Sequence, residues 1–187
     1  MRDIVTELPT VLINASKETL YRTGELPRPQ VHMLAEDMDN PYIGYSVCRR
    51  FYRGTDCVTA IADLGRVPST MKMTRLMVMW ERADLAVALE ETDHPTDYAL
   101  MLVDASLAGH TFHEHPFHLV PTGDLNADGV PALHVEWDQP TRHDDAPLPE
   151  PIARLLDTWR AFDPVDWQQT VVAQQEKGYA FFWTRRG

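Results

Sequence analysis

Two uninterrupted apolar segments near the middle of the chain most constrain its fold. Residues 76–80 read Leu-Met-Val-Met-Trp, and residues 98–103 read Tyr-Ala-Leu-Met-Leu-Val. Short apolar runs of this kind are typical of buried strands, and they are far shorter than the ~18 residues that a membrane span requires. We therefore expect both segments to lie as strands inside a sheet.

The segments around these two strands predict an alternation of strands and helices. A strand is predicted over 42–52, a helix over 56–64, a strand over 74–81, a helix over 83–91 and a strand over 97–105. This β-α-β-α-β order indicates parallel strands joined by crossover helices.

The flanking segments follow a different pattern. Residues 3–13 predict one or two short strands broken at Pro9, and a short helix is expected over 15–23. Further strands and helices are predicted over 30–35, 111–120, 132–137, 151–162, 163–178 and 179–184. The fold expected is α+β: a mixed sheet with the central β-α-β-α-β stretch, antiparallel additions and C-terminal helices.

Length and composition predict how the chain is organised. With 187 residues, of which 44% are hydrophobic, one domain over 1–187 is expected, with an exposed Pro/Asp-rich loop at about 138–150. The N-terminus lacks a charged segment followed by an apolar one, which favours a soluble, cytoplasmic protein. Arginine is the main basic residue, with 14 Arg against 3 Lys, and this usage indicates a bacterial source.

The charge balance narrows the classes of partner. Asp and Glu number 28 against 17 Lys and Arg, which gives a formal net charge of −11. This excess of negative charge argues against nucleic acid and against anionic membranes, because both repel an acidic surface. A basic protein partner, a metal cation or a small ligand fits the charge better. The oligomeric state is left open.

One segment carries most of the chemical interest. Half of the eight histidines lie within nine residues, as His110, His113, His115 and His118. In an extended strand, side chains two residues apart share a face, so His113 and His115 are expected on one side and Glu114 on the other. Paired imidazoles are good ligands for zinc and other transition metals.

A metal site on this pair needs further ligands from elsewhere. Asp124, His134 and Glu136 are the nearest candidates along the sequence. The zinc-protease pattern H-E-x-x-H is absent, because Phe117 occupies the position of its second histidine. The predicted metal set is therefore His113, His115, Asp124 and His134.

Residues 113–116, His-Glu-His-Pro, resemble the first part of the zinc motif of JAMM-type metalloproteases. That resemblance implies zinc on the two histidines and a catalytic glutamate far upstream, for which Glu36 is the candidate. Gly123 and Asn126 stand where the family has Ser and Asp, so the resemblance covers only about four residues.

Residues 124–129, Asp-Leu-Asn-Ala-Asp-Gly, match the first half of a calcium-binding loop. The twelfth position of such a loop is a bidentate Glu, whereas this chain has Val135 there and Glu136 one residue later. A turn that joins two strands explains the same residues.

Two functional hypotheses follow. The first is a non-enzymatic binding or accessory module, favoured by the acidity and by the lack of nucleotide-binding and hydrolase motifs. The second is a zinc-dependent hydrolase that uses His113 and His115, in which Glu36 or Glu114 moves the proton. No cofactor-binding residues other than these metal ligands are predicted.

Overall fold

An eight-stranded sheet, covered by helices on both faces, forms the centre of the protein. The computed structural model describes residues 4–125, 129 and 131–184. The strands are β1 (Gln30–Leu34), β2 (Tyr42–Val47), β3 (Arg75–Glu81), β4 (Tyr98–Ser106), β5 (His110–Leu125), β6 (Pro131–Trp137), β7 (Thr141–Asp144) and β8 (Ala180–Trp183). The helices are α1 (Ile4–Thr23), α2 (Thr55–Ala62), α3 (Arg66–Thr70), α4 (Arg82–Ala88), α5 (Glu150–Arg160) and α6 (Trp167–Glu176), with a 3₁₀ turn at Asp63–Gly65.

The neighbouring strands of the sheet are antiparallel. The order is β6-β5-β4-β3-β1-β2-β8, and β7 pairs with β5 next to β6. The α+β class is therefore confirmed, and the chain order β2-α2-α3-β3-α4-β4 alternates as predicted, but the described strand pairs are antiparallel, so the expected mixed sheet with a parallel β-α-β-α-β stretch is not confirmed. Its first crossover joins β2 and β3, which have β1 between them, and its second joins β3 to an antiparallel neighbour, β4. The seven residues of α4 span only about 10 Å, so this helix does not return along β3.

The two apolar segments are buried because the sheet has a core on each face. Leu76, Val78 and Trp80 of β3 belong to the larger core, together with side chains from α2, α3 and α5. The intervening Met77 and Met79 face the opposite side and pack in the layer covered by α1. The side chains on both faces of β3 are apolar for this reason.

The N-terminal segment is a single helix, and the strands predicted over 3–13 are wrong. Helix α1 runs unbroken through Pro9. Its buried side chains Leu8, Ile13, Ser16 and Leu20 recur at helical spacing on the face toward the sheet. Pro9 removes one backbone donor near the start of the helix, and the burial of this apolar face outweighs that loss.

The C-terminal elements agree closely with expectation. Helix α5 is anchored by fully buried Trp159, whose indole Nε1 donates a hydrogen bond to the Met73 carbonyl oxygen at 2.8 Å. Strand β8 completes the sheet by pairing with β2. The loop expected at about 138–150 contains the short strand β7, and all four of its residues are exposed.

Among the described residues, none of the helices combines the length and apolar character needed to cross a bilayer.

Candidate functional site

Strand β5 carries the histidine segment, and its register fixes where each side chain lies. His113 is opposite Leu102 and His115 is opposite Leu100, and both leucines face the α1 side of the sheet. Glu114 is opposite Met101, which belongs to the core on the other face. His113 and His115 therefore share a face and Glu114 lies on the opposite one, as strand alternation predicts.

The two histidines are half-buried and favour the neutral form. The pKa of His115 is lowered to about 4, mainly by desolvation and then by the nearby Lys17 and His113. Desolvation also lowers the pKa of His113. Nδ1 of His115 is buried and has no hydrogen-bond partner among the described residues. A neutral imidazole with a free nitrogen is chemically able to bind a metal ion.

The structure does not bring the remaining predicted ligands to this pair. His134 lies opposite Val120, on the other face of the sheet and about 17 Å along β5 from His115. Its Nε2 is 3.0 Å from Oε1 of Glu136. Asp124 is further along the same strand and is exposed. Over the part of the chain that the structure describes, no group of three or more His, Cys, Asp or Glu side chains is placed to hold a metal ion.

The two carboxylates considered as proton carriers are occupied by arginines. Glu36 follows β1 and accepts a hydrogen bond from Nη1 of Arg75 at 3.0 Å. Glu114 accepts one from Arg82. Two other acidic residues, Asp104 and Asp144, act on His113 and oppose the lowering of its pKa, and Asp104 is held by Arg75 through two hydrogen bonds of 2.7 Å. Sequence spacing could not indicate Asp104, because β4 and β5 become neighbours only in the folded sheet.

The calcium-loop hypothesis falls partly outside the described residues. Asn126 and Asp128, its second and third ligands, lie outside them. Asp124 is the last but one residue of β5, and Pro131 begins β6. The segment therefore joins two paired strands, which is the role that the turn interpretation assigns to it.

Two other potentially reactive side chains, Cys57 and Glu81, have structural roles. Cys57 is fully buried, and burial, followed by Asp56, raises its pKa to about 11, so its thiol stays protonated near neutral pH. Glu81, at the end of β3, is the N-cap of α4 and accepts hydrogen bonds from the backbone N–H groups of Ala83, Asp84 and Ala99.

The most unusual feature near the histidines is a two-stranded projection, which we call the ribbon (residues 118–125 and 131–136). Strand β5 is 16 residues long, but β4 pairs with it only over 110–117. Beyond Phe117, β5 pairs with β6 alone. The ribbon therefore extends past the body of the sheet.

One face of the ribbon is apolar and open. Leu119 is paired with Val135, and Leu133 is paired with Pro121 on the same face. Leu119 is 37% exposed, Leu133 54% and Leu125 66%. Where the ribbon joins the body this face is covered at buried Phe117 and at Trp137, which lies under the Lys17 ammonium group, and Leu119 faces a cavity next to the body.

Negative charge is concentrated in the same part of the chain. All 17 Lys and Arg residues lie outside 83–141, whereas 11 of the 28 carboxylates and six of the eight histidines lie inside. The whole excess of −11 thus belongs to these residues. Within the described ranges, the ribbon and its flank carry Asp124, Glu136 and Asp138, none of which pairs with Lys or Arg. Asp138 is 2.7 Å from Nε2 of His118.

No protein-family model, curated protein or solved structure matches this chain.

Proposed function

We propose that this protein is a non-enzymatic binding module and that the ribbon is the surface through which it binds a basic partner protein. The observation that carries the proposal is the exposed apolar face at Leu119, Leu125 and Leu133, on a projection where β5 pairs beyond Phe117 with β6 alone among the described strands. Contiguous exposed apolar surface rimmed by polar groups is typical of protein interaction sites.

The backbone of the ribbon supports the same role. A two-stranded hairpin is only marginally stable alone, so a ribbon of this length gains stability when a partner covers it. Over 118–125 the edge of β5 away from β6 is not paired with β4. A partner can therefore add backbone hydrogen bonds there while its side chains cover the leucines.

The charge of the ribbon indicates the chemistry of the partner. Its polar side chains include Asp124, His134 and Glu136, and the flanking sequence has no Lys or Arg between residues 83 and 141. A partner with a Lys- or Arg-rich rim around an apolar centre complements this surface and is attracted to it over long range.

The zinc-hydrolase hypothesis has one observation in its favour, the free buried Nδ1 of His115 beside His113. It has no third ligand within the described ranges. Elemental analysis of protein purified without a histidine tag distinguishes the two hypotheses: stoichiometric zinc supports the hydrolase, and its absence leaves the binding module.

Capture from an extract of the source organism, followed by quantitative mass spectrometry, tests the ribbon. Leu125→Ser combined with Leu133→Ser should abolish capture of the partner, with at least a tenfold loss. The matched control is Val165→Ser with Val172→Ser, which removes two side chains of 50% and 54% exposure from the C-terminal region. We expect the control variant to retain the partner. Salt at about 0.5 M should release the partner from both the wild type and the control, because it screens the attraction between opposite charges. Equal capture by the ribbon variant and the wild type would contradict the proposal.

A further inference from the structure

A second feature is a cavity at one end of the sheet, next to the base of the ribbon, and Leu119 is part of its wall. It lies between the C-terminal end of α1 with the segment that follows it, the segment before α2, and helix α4. Its volume is about 650 Å³, within the range of roughly 300–1,000 Å³ that small-molecule sites occupy. Apolar side chains form much of its wall, among them Leu26, Phe51, Leu85, Tyr98 and Phe117.

Some charged groups of the cavity have a hydrogen-bond or ion-pair partner in the protein, and others have none among the described residues. Arg53 pairs with Asp93 at 2.8 Å, and Glu81 is held by backbone N–H groups. By contrast, Arg28, Arg50, Glu25 and Asp84 lie at the solvent-exposed rim of the cavity, and none of these four side chains has a hydrogen bond or ion pair within the described residues.

The four rim groups are two guanidinium groups and two carboxylates. No cation and anion among the four come within 4.0 Å, so both kinds of charge are open to a ligand that enters the cavity. The two carboxylates do interact with each other: partial desolvation, and then Glu25, raise the pKa of Asp84. An ammonium group between them would relieve this repulsion, as a carboxylate would satisfy the guanidinium groups.

We propose that the cavity binds a small apolar zwitterion, namely an apolar amino acid or a short apolar peptide. Its carboxylate would pair with Arg28 and Arg50, its ammonium group with Glu25 and Asp84, and its side chains would contact the wall near Phe51 and Leu85. An apolar anion such as a fatty acid fits less well, because it leaves both carboxylates without a cation.

The experiment uses leucine, phenylalanine and the dipeptide leucyl-phenylalanine as probes. Binding at millimolar concentration is followed by saturation-transfer NMR and by the melting temperature of the full chain. The N-acetylated and the C-amidated dipeptide each lack one charge. We expect both blocked forms to bind at least about tenfold more weakly than the zwitterion, since each loses a charge-assisted hydrogen bond.

Substitutions that remove a charge from the cavity should weaken binding as much as removing a charge from the dipeptide does. Arg50→Gln and Asp84→Asn are each expected to weaken binding of the dipeptide by about tenfold or more. Arg66→Gln and Asp157→Asn, which change exposed charges outside the cavity lining, are the matched controls and should leave binding unchanged. Circular dichroism establishes that each variant is folded.

Three results would overturn the proposal. The first is that no zwitterionic probe binds at millimolar concentration. The second is that the acetylated dipeptide binds as tightly as the free one, which would make the site one for apolar anions. The third is that folded Arg50→Gln and Asp84→Asn both bind like the wild type, which would place the probe elsewhere.

Discussion

At the residue scale, His32 is a buried histidine that connects stability to pH. It is 4% exposed, its Nδ1 lies 2.9 Å from the Tyr42 hydroxyl, and its ring stacks on Tyr45 at a centroid distance of 5.1 Å. Its Nε2 is buried without a partner among the described residues. Burial lowers the pKa of His32 to about 4, so the folded protein holds it neutral at neutral pH.

This histidine predicts a loss of stability in mild acid. In the unfolded chain His32 has its ordinary pKa near 6.5, so below that pH the unfolded state binds the proton more readily than the folded state does. Its contribution is complete above pH 6.5 and is lost as the pH falls toward 4, with a total of about 3 kcal/mol. Urea unfolding between pH 4 and 7 measures it.

A matched pair of variants isolates the effect of His32. His32→Phe keeps a ring against Tyr45 but cannot titrate, so the unfolding free energy should change less steeply with pH, by up to about 1.4 kcal/mol per pH unit. His94→Gln removes an exposed histidine and should keep the wild-type slope. Identical slopes for wild type and His32→Phe would show that folding leaves the pKa of His32 unchanged, which would contradict the prediction.

The residue scale also shows what sequence can and cannot predict about the site. The shared face of His113 and His115 follows from strand alternation, which is a local rule and holds in the structure. Whether a third ligand joins them depends on which strands become neighbours. The face and distance of His134, and the approach of Asp104 to His113, are products of the sheet register and were beyond local patterns.

At the element scale, sequence prediction succeeded where an uninterrupted apolar run, or a boundary residue such as Pro151 or Gly178, marks the segment. Helices α5 and α6 and strands β3, β4 and β8 lie close to the predicted ranges. It failed at α1, where Pro9 was interpreted as a break although Leu8, Ile13 and Leu20 recur at helical spacing. The helix α4 lies close to its predicted range, but its interpretation as a crossover was wrong, because a strand-helix-strand order does not by itself distinguish a crossover from a short helical connection between antiparallel strands.

The pairing of β2 with β8 supplies a prediction for this scale. Gly44 has φ +148°, and a Cβ added there would lie 2.2 Å from the Phe182 carbonyl oxygen, so β8 approaches too closely for any side chain. Gly44→Ala should displace β8 and lower the unfolding free energy by about 2–4 kcal/mol, as strain and overlap combine. Denaturant unfolding and hydrogen exchange over residues 180–183 measure both effects.

Gly24→Ala is the control for Gly44→Ala. Gly24 also has a positive φ, +77°, but an added Cβ would meet nothing within 4 Å. This variant should therefore show only backbone strain, about 1–2 kcal/mol, with unchanged exchange in β8. If the two variants cost the same, the close approach of β8 to Gly44 contributes nothing to stability.

At the scale of the whole molecule, the distribution of charge matters more than its total. The excess of −11 lies within residues 83–141, which include most of α4, all of β4, β5 and β6, and the loops between them. The rest of the chain is balanced. Composition predicted an acidic protein that suits a basic protein partner, a metal cation or a small ligand. It could not show that Asp124 and Glu136 lie on a projecting ribbon, because that requires knowing that β5 continues beyond the end of β4.

This distribution predicts that salt stabilises the fold. Raising NaCl from 10 to 300 mM shortens the screening length from about 30 Å to less than 10 Å and should raise the melting temperature by about 2–4 °C. The double variant Asp124→Lys, Glu136→Lys should show a smaller salt-induced rise in melting temperature than the double variant Asp37→Lys, Asp39→Lys. Both double variants change the net charge equally. Scanning calorimetry at several salt concentrations gives the comparison. Equal increments in the two variants would mean that only total charge matters.

The β2–β8 pairing has a consequence for how the protein is made. Gly44 and its partner Trp183 are separated by 139 positions. At synthesis rates of about 5–20 residues per second, β2 leaves the ribosome roughly 7–28 s before the strand that protects its outer edge. During that interval the nascent chain presents an open edge, and this is the stage at which chaperones matter most to its yield.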